Sequence, residues 1–127
     1  MLKTSFSILF FFFTLSVFSQ SDSLTPKVYY FEFSDNKSSE GFLLNEKPEG
    51  YWKTFYKSSI IKSEGNRKDY LLDSIWKFYS EEGFITTEIT YKKNKKTGPY
   101  KMYGDSGVLK HVFMLENDIR TGEYEEY

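Results

Sequence analysis

Cysteine is absent from the 127 residues, histidine occurs once and proline three times. Without a thiol the chain has no disulfide, no thiolate zinc site, no cysteine nucleophile and no anchor for thiol-linked lipid. An excess of one charge is missing too. Lys and Arg number 17 against 18 Asp and Glu, a formal charge of −1, so no overall field draws nucleic acid or an anionic membrane. The lone His111 leaves histidine-based metal spacing without a second ligand, and neither a phosphate-binding glycine loop nor an EF-hand loop occurs. No metal and no cofactor are expected. Catalysis has little to draw on: His111 sits between Leu109 and Phe113 in an apolar column, and Glu81-Glu82 and Glu125-Glu126 are adjacent pairs that point to opposite sides of an extended chain. The expectation is a protein that is not an enzyme.

The one long hydrophobic run lies at the start. Lys3 precedes an apolar stretch from Ile8 to Phe18, which closes in Val17-Phe18-Ser19, a small-x-small pattern. As a helix this stretch rises only about 16 Å, against roughly 30 Å of bilayer hydrocarbon. Residues 1–19 therefore read as a cleavable signal peptide, and the remainder as an exported chain, periplasmic or secreted, with no transmembrane anchor after cleavage.

Beyond that segment the chain is rich in aromatics at fixed spacing. Trp52, Trp76, Tyr100 and Tyr124 lie 24 residues apart, and three residues after each stand Phe55, Tyr79, Tyr103 and Tyr127. Two residues before each come Gly50, Ser74, Gly98 and Gly122, and one after come Lys53, Lys77, Lys101 and Glu125. Ser59, Gly83 and Gly107 share a further column, followed by Ile60-Ile61, Phe84-Ile85 and Val108-Leu109. This is an internal repeat without insertions. Each unit reads as a β-hairpin: a strand such as Ser74 to Tyr79, a loop whose closing Gly suits a left-handed position, and a β-rich return such as Phe84 to Tyr91. Ser59 suits that loop position less well, so the first unit is expected to turn differently. Asn45 to Gly50 and Lys92 to Gly98 read as polar links between hairpins, and the lysines of the second as a solvated turn. Alternation of Ile85, Thr87, Ile89 and Tyr91, and of Leu109, His111, Phe113 and Leu115, puts each set on a single face.

These residues carry a resemblance. Gly50-Tyr51-Trp52-Lys53-Thr54-Phe55-Tyr56, with Glu40 and Asn45 upstream, resembles the MORN-repeat variant pattern of Gly-x-Trp-x-x-Tyr, a turn ending in Gly, then Leu, Glu, Tyr and an Asn-Gly-Lys link. The likeness covers about Glu40 to Tyr127. It departs where the link reads Asn94-Lys95 and Asn117-Asp118, and in the diverged link from Asn66 to Asp73. The resemblance implies an all-β fold, an elongated antiparallel sheet of stacked 24-residue hairpins. It also implies a role in binding or scaffolding, with an antitoxin-like label attached to many bacterial chains of the type.

The resulting organisation is a signal peptide over 1–19, an N-terminal segment over 20–39 with a capping strand at 28–33, and hairpin repeats over 40–127. Residues three apart on a strand face opposite ways, so the Trp52 column and the Phe55 column line different faces. The expected binding residues are Phe55, Tyr79, Tyr103 and Tyr127 with Lys53, Lys77 and Lys101 on the same face. Structural columns are Gly50, Trp52, Trp76, Gly83, Gly98, Tyr100, Gly107, Gly122 and Tyr124. Glu40, Glu64 and Glu88 recur at the same period and suit hydrogen bonds from a neighbouring Tyr or Lys. The expected partner is another protein, bound by a sheet face or edge, and neither nucleic acid nor a membrane. Neutralisation of one toxin, or glycan binding by exposed aromatics, are the alternatives. Gly122 to Tyr127 is an edge strand that invites self-pairing, with Glu123, Glu125 and Glu126 as the charge that blunts it.

Overall fold

The computed structural model describes residues 22–127, and the expected signal peptide lies outside them. The regular structure there is entirely β: β1 (Thr25–Tyr30), β2 (Lys37–Leu44), β3 (Lys47–Phe55), β4 (Ile61–Lys68), β5 (Leu71–Tyr79), β6 (Ile85–Lys92), β7 (Lys95–Tyr103), β8 (Leu109–Glu116) and β9 (Ile119–Glu126). All nine strands form one antiparallel sheet whose spatial order is the chain order. Every connection is a hairpin, and the substantial packing joins consecutive strands. The first strand lies three residues earlier than the expected 28–33, because Phe33 adopts φ 55 in the following loop and ends the extended run.

The hairpins alternate between two loop types. At one end of the strands, Asn45-Glu46, Asp69-Tyr70, Lys93-Asn94 and Asn117-Asp118 all have positive φ at both positions. These are two-residue turns of the handedness that matches sheet twist. The long polar links expected at Asn45 to Gly50 and Lys92 to Gly98 are therefore corrected: each is a two-residue turn, and Lys47–Gly50 and Lys95–Gly98 already belong to strands. The diverged link between Asn66 and Asp73 turns in the same way. Neighbouring turns are tied together, since Asn94 N donates to Leu72 O at 3.0 Å while Leu72 N donates to Asn94 Oδ1 at 2.7 Å. Lys96 and Asp118 repeat that exchange at 2.8 and 2.9 Å.

At the other end the loops over Tyr56 to Ile60, Ser80 to Phe84 and Gly104 to Val108 share one hydrogen-bond pattern. The first residue's N–H donates to the last residue's carbonyl, and the fourth residue's N–H donates to the first residue's carbonyl. Ser59 takes φ 70 beside 89 at Gly83 and 75 at Gly107, so the first loop does not differ as expected. Tertiary pairing of the flanking strands outweighs the local preference of serine. Ser74, at φ 59, likewise stands in the left-handed column of Gly50, Gly98 and Gly122. Holding a side chain there costs roughly 1 kcal/mol or more. Ser59→Gly and Ser74→Gly are each expected to stabilise the protein by about 0.5 to 1 kcal/mol. Urea unfolding midpoints should rise in each variant, with the slope unchanged.

Two recurring irregularities shape the faces. Glu40 faces Lys53 but Phe42 faces Glu49, so β3 gains residues over β2 around Gly50. The same shift recurs between Glu64 and Asn66, Ile89 and Tyr91, and Val112 and Met114. The second irregularity puts Phe78 opposite Thr87 but Tyr79 opposite Ile85, and it recurs where Tyr103 faces Leu109. Unbroken alternation along the returning strands is thereby corrected. Thr87 and Ile89 stay on one face, while Ile85 joins Tyr79, because a bulge residue shifts the side-chain parity.

Candidate binding surface

Cross-strand partners share a face, so the register sorts the side chains into two unlike surfaces. The first, the indole face, carries the row Trp52, Gly65, Trp76, Ile89, Tyr100 and Phe113. Trp52 pairs with Gly65, and Trp76, Ile89, Tyr100 and Phe113 pair in succession, while the Trp76 ring reaches Gly65 across a register shift. The other face carries Glu40, Lys53, Glu64, Lys77, Glu88 and Lys101, an unbroken alternation of sign across six strands, followed by Val112 and Glu125.

On the indole face the two tryptophans lie flat on glycines of the preceding strand. A Cβ added at Gly41 would come within 2.3 Å of Trp52, and one at Gly65 within 2.4 Å of Trp76. Both indoles are buried, at 6% and 4% exposure. Trp76 Nε1 donates to Asn66 O at 2.8 Å, and Trp52 Nε1 donates to Phe42 O and Glu49 O at 3.1 and 3.2 Å. Where tyrosine replaces tryptophan the glycine is gone: Ile89 precedes Tyr100, and Phe113 precedes Tyr124. Ring size and partner size thus change together. Tyr100 stacks on Phe113 with centroids 4.7 Å apart. His111, half-buried on the same face, stacks on Tyr124 and is hydrogen-bonded to its hydroxyl.

On the charged face the expected binding residues come together, but their polar groups already have partners. Tyr79 Oη donates to Glu64 at 2.7 Å and Tyr103 Oη to Glu88 at 3.1 Å, while Lys101 Nζ stands 3.6 Å from Glu88. The recurring glutamates accept from neighbouring tyrosines, as their spacing suggests. Phe55 lines an open cleft of 610 Å³ with Phe31 and Tyr56. Tyr127 is 65% exposed, and its hydroxyl donates to Glu125 at 2.6 Å. Lys53 and Lys77 lie in the alternating row without closing an ion pair among the described residues.

Burial first, then the hydrogen bond to Glu64, push the Tyr79 hydroxyl far above the ordinary tyrosine value of 10.0. Burial and the Glu88 carboxylate raise Tyr103 as well, and burial with Glu64 raises Tyr51. Folding favours the neutral phenols, so this stabilisation is complete below about pH 10 and is lost as the pH rises further. Tyr79→Phe is expected to lose about 1 kcal/mol at pH 7, a value reduced by partial exposure, and to show a shallower fall of stability above pH 10. Denaturant midpoints at pH 7 and at pH 9.5 to 11.5 measure both.

Against known proteins this surface stands alone. No family model, curated protein or solved structure matches the chain. Function must therefore be read from the surface itself.

Two features of that surface are not evident from the repeat columns. Gly41 and Gly65 stand 24 residues apart, each eleven before a tryptophan, and that joint spacing is the signal that finds them. The cations over the indole-face rings leave no single column, because they come from different strands of their hairpins: Arg67 from β4, Lys96 from β7 and Arg120 from β9.

Proposed function

We propose that this is an exported, non-catalytic repeat protein that binds another protein through its sheet. In this reading a signal peptide over residues 1–19 precedes MORN-like hairpins of 24 residues. Recurrence of the same indole-on-glycine contact at Gly41 with Trp52 and Gly65 with Trp76, together with one loop pattern used three times, supports the repeat. The observation that carries the binding role is the open sheet. Nine strands lie in one layer, substantial packing is confined to consecutive strands, and Tyr29, Met102 and Tyr124 stay between 41% and 44% exposed on the indole face. An uncovered aromatic and basic surface is what a protein interface offers.

The test is affinity capture by tagged residues 20–127 from the source cell's envelope and medium, followed by reconstitution with the purified captured protein. One stoichiometric partner, displaced by untagged protein, is the expected result. If nothing is captured, or the captured set ignores competition, the reading fails. N-terminal sequencing of the exported protein is expected to begin near Gln20; retention of Met1 overturns the signal peptide.

A further inference from the structure

Each lead aromatic of the indole face is covered from outside. Tyr29 stacks on Trp52 with centroids 6.3 Å apart. The Arg67 guanidinium lies 5.6 Å from the ring of Trp76, and the Lys96 ammonium 5.5 Å from Tyr100. Arg120 lies 5.1 Å from Tyr124 and 5.0 Å from Phe113, and Lys27 caps Tyr29 at 5.3 Å. The cations arrive by a consistent route. In three hairpins the second pair from the two-residue turn joins one cation to one apolar or aromatic residue: Arg67 with Leu72, Lys96 with Tyr91, Arg120 with Leu115.

Charge is therefore segregated between the faces. Among the described residues the strand register assigns the indole face four cations, Lys27, Arg67, Lys96 and Arg120, against one carboxylate, Glu126. The opposite face alternates in sign. The ion pairs among the described residues are Lys37 with Glu40 and Lys101 with Glu88, and none of the four indole-face cations takes part. Arg67 has a polar partner in the Tyr70 carbonyl, to which Nη1 donates at 2.9 Å, but that contact leaves its charge uncompensated.

An approaching molecule meets these cations before it meets the rings. Sugar and base stacking both need an open aromatic face, and the widest rings are buried beneath their covers with their N–H groups already bonded. The accessible types, Arg, Tyr, Met and His, are dominated by those that concentrate binding energy at protein interfaces. The cations sit on β1, β4, β7 and β9, and a strand spacing of about 4.8 Å separates successive ones by roughly 10 to 14 Å. A compact anion reaches one of them; an extended chain reaches several.

The geometry points to an acidic, extended polypeptide segment as the occupant of the indole face, laid across the strands with its carboxylates on Arg67, Lys96 and Arg120. This rests on the protein-binding reading above and names the partner's chemistry. Attraction across such a face is screened by salt and gains most from the planar guanidinium groups.

Fluorescent poly-L-glutamate, titrated by anisotropy at low ionic strength, tests the proposal. Wild type is expected to bind it. The triple variant Arg67→Gln, Lys96→Gln, Arg120→Gln should bind about tenfold more weakly or worse, whereas Lys92→Gln, Lys93→Gln, Lys95→Gln, with the same change in net charge, should bind as wild type does. If the first triple variant loses its β signal, the charge-keeping Arg67→Lys, Arg120→Lys pair replaces it, with a several-fold loss expected. No binding by wild type, equal loss in the two triple variants, or tighter binding of polygalacturonate or single-stranded DNA than of polyglutamate overturns the proposal. A captured partner that binds the indole-face variant as well as wild type also overturns it, while leaving the protein-binding function standing.

Discussion

Trp76→Ala is expected to lower the free energy of unfolding by about 4 kcal/mol, a larger loss than truncation of any other ring in this sheet should bring. The indole is 4% exposed, lies flat on Gly65, donates to Asn66 O and is covered by Arg67, so truncation removes ring burial, a hydrogen bond and a cation–π contact together. A two-layer protein repacks part of such a void from the layer above. Here no second layer of described residues is present, so β4, β5 and β6 must absorb it alone. With domain stabilities of about 5 to 15 kcal/mol, the variant is expected to be marginal at 37 °C. Tyr127→Ala, at a 65% exposed ring, serves as the control and should change stability by less than about 0.5 kcal/mol. Urea unfolding followed by far-ultraviolet circular dichroism measures both. A loss below about 1 kcal/mol in Trp76→Ala would show that the indole row is not the core of the sheet.

The second large effect comes from adding a single methyl group. Gly65→Ala places a Cβ 2.4 Å from Trp76 Cδ2, a separation that neither the rigid indole nor the paired backbone can relax without moving. Glycine within a strand usually gains from such a change, by roughly 0.5 to 1 kcal/mol. Overpacking reverses the sign, and a net loss of about 2 kcal/mol is expected. The cause is testable by a double-mutant cycle with Trp76→Tyr. Tyr100 already sits beside Ile89 on the same row, so a narrower ring tolerates a side chain at the preceding position. Gly65→Ala is therefore expected to cost at least about 1 kcal/mol less in the Trp76→Tyr background than in wild type. Additive losses would mean that the glycine serves strand geometry rather than the ring. Gly41→Ala, with Trp52 at 2.3 Å, should repeat the result and shows how general the contact is.

Both predictions express one physical constraint. A sheet without a covering layer buries apolar area by laying wide rings flat along its own surface, and a ring lies flat only where its neighbour has no side chain. Glycine, in this setting, is a packing residue. The loop serines raise the opposite matter: Ser59 and Ser74 occupy left-handed positions that nothing in their own chemistry favours, and they are held there by the strands on either side.

How much of the fold is legible in the chain follows from the range of each interaction. Hairpin architecture can be read directly, because alternation, turn residues and the spacing of Trp52, Trp76, Tyr100 and Tyr124 are local or periodic features. The glutamate partners of Tyr79 and Tyr103 are legible in kind for the same reason. Turn lengths are not, since Lys95, Lys96 and Thr97 look like a loop by composition and become strand only once β6 and β7 pair around Lys93-Asn94. Face membership after each bulge is also hidden. Ile85 continues the alternation of Ile89 on paper, but one extra residue in the ladder turns it toward Tyr79.

The sequence by itself determined that the chain forms consecutive antiparallel hairpins, because short-range pattern and repeated turn chemistry suffice for that. Tertiary structure alone decided which face each side chain occupies and what covers it. Register accumulates across nine strands, and each bulge resets it by hydrogen bonds that no single strand contains. It is that accumulated register which brings Lys27, Arg67, Lys96 and Arg120, scattered through the chain and through different positions of their hairpins, onto one aromatic face.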